Sequence, residues 1–139
     1  MKFFKSNTPR GRKILIIGAD PQIVSLLRLY LQKVYKDIVL EAANGDEGLA
    51  QAQAAMPDLI IIELVLAESD GYEISKQLKA VPSVRHTPIL LISPPQKIYP
   101  ELHAPAVQGY LSKPFDPDEL RKARNELLQG KTYWSSTSP

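Results

Sequence analysis

Three short apolar runs constrain the fold of this chain more than any other feature of its sequence. Residues 14–17, 59–62 and 89–92 consist of isoleucine and leucine alone. A strand with one face in water alternates apolar and polar residues, so unbroken runs of this length are typical of strands buried on both faces. Because helical patterns lie between the runs, the sequence predicts a doubly wound α/β domain with a parallel sheet.

The helical patterns and the remaining strands have recognisable boundaries. Asp20 supplies an N-cap and Pro21 a proline at the first helical position, and apolar residues then follow at helical spacing, which predicts a helix over 21–35. The same kinds of signal predict helices from the Asn44 turn to just before Pro57, over 72–80 and from Asp116-Pro117 onward, with further strands at 38–40 and 110–112. The predicted sheet therefore has five strands.

The interval between the fourth and fifth strands is rich in proline. Pro94, Pro95, Pro100 and Pro105 fall where the alternating pattern would place a helix. Each proline in a helix interior removes a hydrogen bond and clashes with the preceding turn. We therefore expect the fourth helix to be shortened or disrupted by these prolines.

Composition narrows the class of protein. The chain has no cysteine, which excludes disulfides and thiolate metal sites and suits a reducing cytoplasm. Its apolar runs are too short to span a bilayer, so we expect a cytoplasmic protein without membrane contact. The first thirteen residues include five basic and no acidic side chains, whereas the rest of the chain has 12 basic against 15 acidic. We expect a basic flexible arm at 1–12, a folded domain at 13–129 that does not itself bind nucleic acid, and a flexible tail at 130–139.

Ligand sites of open parallel sheets lie at the carboxyl ends of the strands. The residues that the sequence places there are Gly18, Ala19, Asp20, Glu63, Ser93 and Lys113. They include no Ser-His-Asp arrangement, and the turn at Gly18 lacks the repeated glycines or hydroxyls that cradle phosphates. We therefore expect a protein that is not an enzyme.

Five segments, in this order, resemble the motifs of response-regulator receiver domains, the CheY-like family. They are Lys13-Ile-Leu-Ile-Ile17, Pro57-Asp-Leu-Ile-Ile-Ile-Glu-Leu64, Asp70-Gly-Tyr-Glu73, Pro88-Ile-Leu-Leu-Ile-Ser93 and Tyr110-Leu-Ser-Lys-Pro-Phe115. The resemblance covers residues 13–128. It implies the flavodoxin-like, CheY-like fold with strand order 2-1-3-4-5.

The resemblance also implies a phosphorylation site. In the family, an aspartate at the end of the third strand accepts a phosphoryl group, with the help of Mg²⁺ held by an acidic pair after the first strand. Glu63 matches the position of this phosphoacceptor. Ser93 and Lys113 match the hydroxyl and the lysine that bind phosphoryl oxygens, and Tyr110 matches the family's switch aromatic. The Lys113-Pro114 bond matches one that is cis in the family.

Two of the matched positions depart from the family pattern. Gly18 and Ala19 replace the acidic pair and carry no side-chain oxygen for Mg²⁺, while Asp20, next along, is better suited to an N-cap. Glu63 moves its carboxylate outward by about one C–C bond relative to aspartate, and phosphoryl transfer is sensitive to such displacements. We therefore expect a degenerate acidic pocket with no metal site and no cofactor.

Three functions remain open. We prefer a pseudo-receiver that binds a histidine kinase, an output domain or another receiver, with homodimerisation as an option. One alternative is a phosphoacceptor response regulator that uses Glu63 with Asp20 as metal ligand, and the other is a small-molecule sensor on the same fold. Glu63 is interpreted first as the partner of Lys113 in a partly buried ion pair, and second as an imitation of phosphoaspartate.

Overall fold

Strands and helices alternate through residues 8–95 and 106–134, the part of the chain that the computed structural model describes. The strands are β1 (Lys13–Ile17), β2 (Ile38–Ala42), β3 (Leu59–Glu63), β4 (Ile89–Ser93), β5 (Gly109–Ser112) and β6 (Tyr133–Trp134). The helices are α1 (Pro21–Tyr35), α2 (Gly45–Ala55), α3 (Gly71–Lys79) and α4 (Pro117–Leu128), and a 3₁₀ turn follows α3 at Pro82–Val84.

The strands form one parallel sheet in the order β2-β1-β3-β4-β5-β6. The predicted doubly wound α/β fold and the order 2-1-3-4-5 are confirmed. The predicted number of five strands is wrong, because β6 adds a short sixth strand beside β5. This strand lies within residues 130–139, where we expected a flexible tail. The division into arm, domain and tail otherwise stays a prediction.

The core has two halves, one on each face of the sheet. Along β1, Ile14 and Ile16 face the half that is covered by α1 and α4, whereas Leu15 and Ile17 face the half that is covered by α2 and α3. All four side chains are fully buried, as are the isoleucines of β3. The unbroken apolar runs therefore arise because side chains on both faces of these strands must be apolar.

Each helix begins where a polar side chain caps it. Asp20, Asn44, Asp70 and Asp116 accept hydrogen bonds from backbone N–H groups of the first turns of α1, α2, α3 and α4. The capping oxygen replaces a partner that the first turn of a helix lacks. The predicted range of α1 and the predicted starts of α2 and α4 are confirmed, and β2 extends two residues beyond the predicted strand.

Some expectations fall outside the described residues. The predicted disruption of a helix by prolines falls mostly on residues 96–105, and part of the basic arm falls on residues 1–7. Across residues 8–95 and 106–134, no helix has the length and apolar character needed to cross a bilayer.

A buried ion pair joins α4 to the turn between α1 and β2. The guanidinium of Arg124 donates to Asp37 through Nε at 2.8 Å and through Nη2 at 2.7 Å, and neither side chain is exposed. Asp37 also accepts from the backbone N–H of Arg12 at 3.0 Å, and the guanidinium lies over the ring of Tyr35. The charges are thus paired and hydrogen-bonded, which is the condition for burying them.

We expect Asp37→Asn to lower the free energy of unfolding by about 3–5 kcal/mol, because it leaves the Arg124 charge buried without its counter-ion. Urea denaturation followed by circular dichroism measures the change. Arg121→Ala is the matched control on the same helix, since Arg121 pairs with Asp118 at the surface, and it should change the urea midpoint little. An Asp37→Asn protein as stable as the control would contradict this role of the pair.

Lys79, the last residue of α3, supplies a pH-dependent contribution to stability. Its half-buried ammonium donates to the carbonyl of Thr87, and burial lowers the pKa of this lysine from 10.5 to about 8. Between these values the unfolded chain keeps the lysine proton that the folded chain has lost. The contribution of Lys79 to folding stability therefore rises with pH over this window.

Lys79→Met should remove this contribution, so that the free energy of unfolding rises less between pH 8 and pH 10 than in the parent chain. Lys76→Met is the control, because Lys76 is exposed and pairs with Glu73. Urea midpoints measured across this pH range would contradict the assignment if the Lys79 and Lys76 variants gave the same pH dependence.

Candidate functional site

The carboxyl ends of four strands bring the predicted site residues together. Glu63 and Ser93 are the last residues of β3 and β4, Lys113 follows β5, and Gly18 to Asp20 follow β1. A concave surface that encloses a pocket of about 300 Å³ lies over them. It is lined by Ala19, Asp20, Glu63, Val65, Ile92, Pro94 and Lys113. The parallel sheet is responsible for this convergence, since it aligns strands that are far apart in sequence.

Glu63 is the central group of the site. It is only 4 % exposed, yet each of its carboxylate oxygens has a donor. Oε1 accepts from the backbone N–H groups of Ala19 at 2.7 Å and Asp20 at 2.9 Å, and Oε2 accepts from Nζ of Lys113 at 3.0 Å. The predicted ion pair between Glu63 and Lys113 is confirmed. The buried charge is stabilised by one cation and by two backbone dipoles.

Gly18 provides the space that this carboxylate occupies. A Cβ atom at position 18 would lie 2.6 Å from Oε1 of Glu63 and 3.0 Å from Cγ2 of Val24. The first distance is shorter than any ordinary nonbonded contact, so a side chain at position 18 and the observed Glu63 conformation exclude one another. Gly18 therefore has two effects. It leaves the end of β1 without a carboxylate at this position, and it makes room for the longer carboxylate of Glu63 on the neighbouring strand β3.

Asp20 and Lys113 complete the polar part of the site. Oδ1 of Asp20 accepts from the backbone N–H of Gln22 at 3.0 Å, which confirms the predicted N-cap. Its other carboxylate oxygen lies 3.8 Å from Nζ of Lys113, and the side chain is 44 % exposed. Lys113 therefore lies between two carboxylates and pairs more closely with the buried one. The bond between Lys113 and Pro114 is cis, as the resemblance implied.

The side chains at this site do not fit a Mg²⁺ ion. Mg²⁺ requires a near-octahedral set of oxygens and is usually anchored by one or two carboxylates. Gly18 and Ala19 supply none, Asp20 caps α1, and both oxygens of Glu63 already accept hydrogen bonds. Within the described ranges 8–95 and 106–134, no three histidine or acidic side chains are grouped so as to hold a metal ion.

Ser93 and Tyr110 form a second polar contact beside the ion pair. The hydroxyl of Ser93 is fully buried and lies 2.7 Å from the hydroxyl of Tyr110 on the neighbouring strand. Ser93 also donates to the carbonyl of Pro94 at 3.2 Å. Tyr110 is half-buried on β5, as expected for a strand aromatic. Both residues match positions of the family pattern, but their hydrogen bond was not predicted from the sequence.

Sequence reasoning also missed the packing role of Gly18 and the ion pair at Asp37. Gly18 was interpreted only as the loss of an acid, because the space beside a glycine is not visible in the sequence. Arg124 did leave a signal, since it lies four residues after Leu120 and three before Leu127, on the buried face of α4. A charge at such a position must have a buried partner.

Comparison with known proteins agrees with the resemblance of the sequence motifs to receiver domains. The family model described as the response regulator receiver domain matches residues 14–125. The chain is 29 % identical over 121 residues to the alkaline phosphatase synthesis transcriptional regulatory protein PhoP of Bacillus subtilis, covering 86 % of this chain and 49 % of PhoP. It is 31 % identical over 137 residues to the transcriptional regulatory protein ResD of the same organism, covering 91 % of this chain and 53 % of ResD. The chain thus spans about half the length of these relatives.

A solved structure of similar sequence has the same fold. The chemotaxis protein CheY4 of Vibrio cholerae is 30 % identical and superposes with a TM-score of 0.76, over 84 % of this chain and 98 % of CheY4. The residues that the family model matches include both Glu63 and Lys113.

We expect Gly18→Ala to lower the free energy of unfolding by about 1–3 kcal/mol, because the added methyl group must displace a carboxylate that three donors hold in place. In a Glu63→Ala background the same substitution should cost much less, since only the contact with Val24 remains. A double-mutant cycle by urea denaturation measures this coupling. Equal costs in the two backgrounds would show that Glu63 does not occupy the space beside Gly18.

Proposed function

The chain belongs to the family of response regulator receiver domains, and we propose that it acts in two-component signalling by binding protein partners rather than by accepting a phosphoryl group. The observation that carries this proposal is the set of hydrogen bonds that the buried Glu63 carboxylate accepts. Its two carboxylate oxygens are engaged by Ala19, Asp20 and Lys113, which leaves the carboxylate buried and fully paired. A nucleophile in that position would have to break these contacts before it could attack.

The loss of the acidic pair supports the same proposal. Phosphoryl transfer depends on positioning and on stabilisation of the charge that develops on the transferred group, for which metal ions are the usual means. Gly18 and Ala19 offer no ligand, and among the described residues the cation paired with Glu63 is the ammonium of Lys113. We propose that Lys113 neutralises Glu63 permanently, and that the site needs no Mg²⁺ and no other cofactor.

The proposed partners are proteins of the same signalling systems. Receiver domains interact with histidine kinases and output domains, and a further receiver or a second copy of this chain are additional candidates. The relatives PhoP and ResD are transcriptional regulators, and this chain spans about half of their length. We propose a cytoplasmic binding module that transmits its signal only by contact with a protein partner. In this proposal Lys113 holds Glu63 in place, and Ser93 holds Tyr110 in place.

The proposal predicts that the chain stays unmodified when it is incubated with acetyl phosphate and Mg²⁺. Intact-mass spectrometry before and after incubation measures this, with a receiver domain that retains its acidic pair as the positive control. The Glu63→Asp variant tests the shorter nucleophile alone and should also stay unmodified, because the metal ligands are still missing. A stable phosphoryl adduct on Glu63 or Asp20 of the parent chain would instead support the phosphoacceptor alternative.

A further inference from the structure

The two edges of the sheet are protected in different ways. β2 forms one edge and contains Glu41, which is exposed and pairs with Arg28. Charged side chains at an edge oppose pairing with another strand. β5 has the sequence Gly-Tyr-Leu-Ser and contains no charged residue. An uncovered β5 would therefore offer unpaired backbone groups without a charge to prevent association.

Residues 130–134, which we call the strap, cover this edge. The chain reverses after α4 at Gly130, whose φ of +83° lies in the region that glycine adopts without strain. The strap then runs parallel to β5, with Tyr133 opposite Gly109 and Trp134 opposite Tyr110. The backbone N–H of Tyr133 donates to the carbonyl of Gln108 at 3.1 Å.

The two aromatic side chains of the strap lie on opposite faces of the sheet. Tyr133 packs against the core half beneath α1 and α4, and Trp134 packs against the half beneath α2 and α3. Successive residues of a strand point to opposite faces, so two consecutive aromatic residues are sufficient to pack against both faces of the sheet at this edge. Both side chains remain partly exposed, and among the described residues the pairing with β5 involves Tyr133 and Trp134. Within this described part of the chain, little surface has to be uncovered for the strap to leave.

We propose that the strap is an intramolecular competitor for the β5 edge, and that its release allows this edge to pair with the β5 edge of a second copy of the chain. A strand edge is self-complementary, because two copies related by a two-fold axis can pair antiparallel through the same residues. The absence of charge on β5 permits this pairing. The proposal concerns the edge alone and does not depend on whether Glu63 is phosphorylated.

The strap also lies next to the site. Tyr110 pairs with Trp134 along its backbone and with Ser93 through its hydroxyl group. Pairing of a second copy at β5 would therefore replace Trp134 as the backbone neighbour of Tyr110. This connects the association state of the chain with the residues around Lys113.

Tyr133→Pro tests the proposal in the 139-residue chain. Proline removes the N–H group that donates to Gln108, whereas the matched control Tyr133→Phe keeps both this group and the ring. Trp134 is the single tryptophan of the chain, so its emission reports the strap directly. We expect Tyr133→Pro to shift the emission to longer wavelength and Tyr133→Phe to leave it unchanged.

Sedimentation velocity measures the association. At about 100 µM, where a dimer with a micromolar dissociation constant is almost fully formed, the Tyr133→Pro chain should sediment with about twice the mass of the Tyr133→Phe chain. Trp134→Ser, which removes the other side chain of the strap, should have the same effect. Far-UV circular dichroism establishes that each variant is folded. If both folded variants remain monomeric, or if the emission of Tyr133→Pro is unchanged, the proposal is overturned.

A charge placed on each edge in turn identifies the interface. In the Tyr133→Pro background, Ser112→Lys adds a charge to β5 and should restore the monomer, whereas Ile38→Lys adds the same charge to exposed β2 and should leave the dimer intact. The opposite pattern would place the interface at β2 and would overturn the proposal.

Discussion

The geometry of the site depends on one buried carboxylate. Glu63 at the end of β3 accepts hydrogen bonds from the turn that follows β1 and from the lysine that follows β5. An unpaired carboxylate in this position would be strongly unfavourable, so the three donors and the carboxylate must be present together. The absence of a side chain at Gly18 makes the arrangement sterically allowed. Gly18 and Glu63, two of the positions that depart from the family pattern, are therefore sterically coupled.

A second buried ion pair lies at the other end of the sheet and has a structural role. Asp37 precedes β2, and Arg124 reaches it from a helix 87 residues further along the chain. The pair positions α4 against α1, and α4 in turn positions the turn at Gly130 from which the strap begins. The site end and the opposite end of the sheet are thus each held by a charge pair between segments that are distant in sequence. The concave surface over Glu63 and Lys113 lies at the site end.

Much of the fold could be predicted because local signals agreed with the tertiary structure. The isoleucine and leucine runs became β1, β3 and β4, and the pairing of Glu63 with Lys113 followed from their places at the carboxyl ends of β3 and β5. β6 was missed because two aromatic residues do not make a strand pattern, and their pairing depends on where α4 ends. The ion pair between Asp37 and Arg124 was missed because charges on a helix are usually solvated, although Arg124 stands among apolar positions.

The sequence by itself determined the class of fold, the order of its elements and the identity of the groups at the strand ends. These follow from hydrophobic periodicity, capping residues and turn residues, which act over a few positions along the chain. Only the tertiary structure decided that the Glu63 carboxylate occupies the space beside Gly18, that Ser93 meets Tyr110, and that Tyr133 and Trp134 cover β5. These contacts join residues between 17 and 45 positions apart, and their distances depend on how strands and helices pack, which no local pattern encodes.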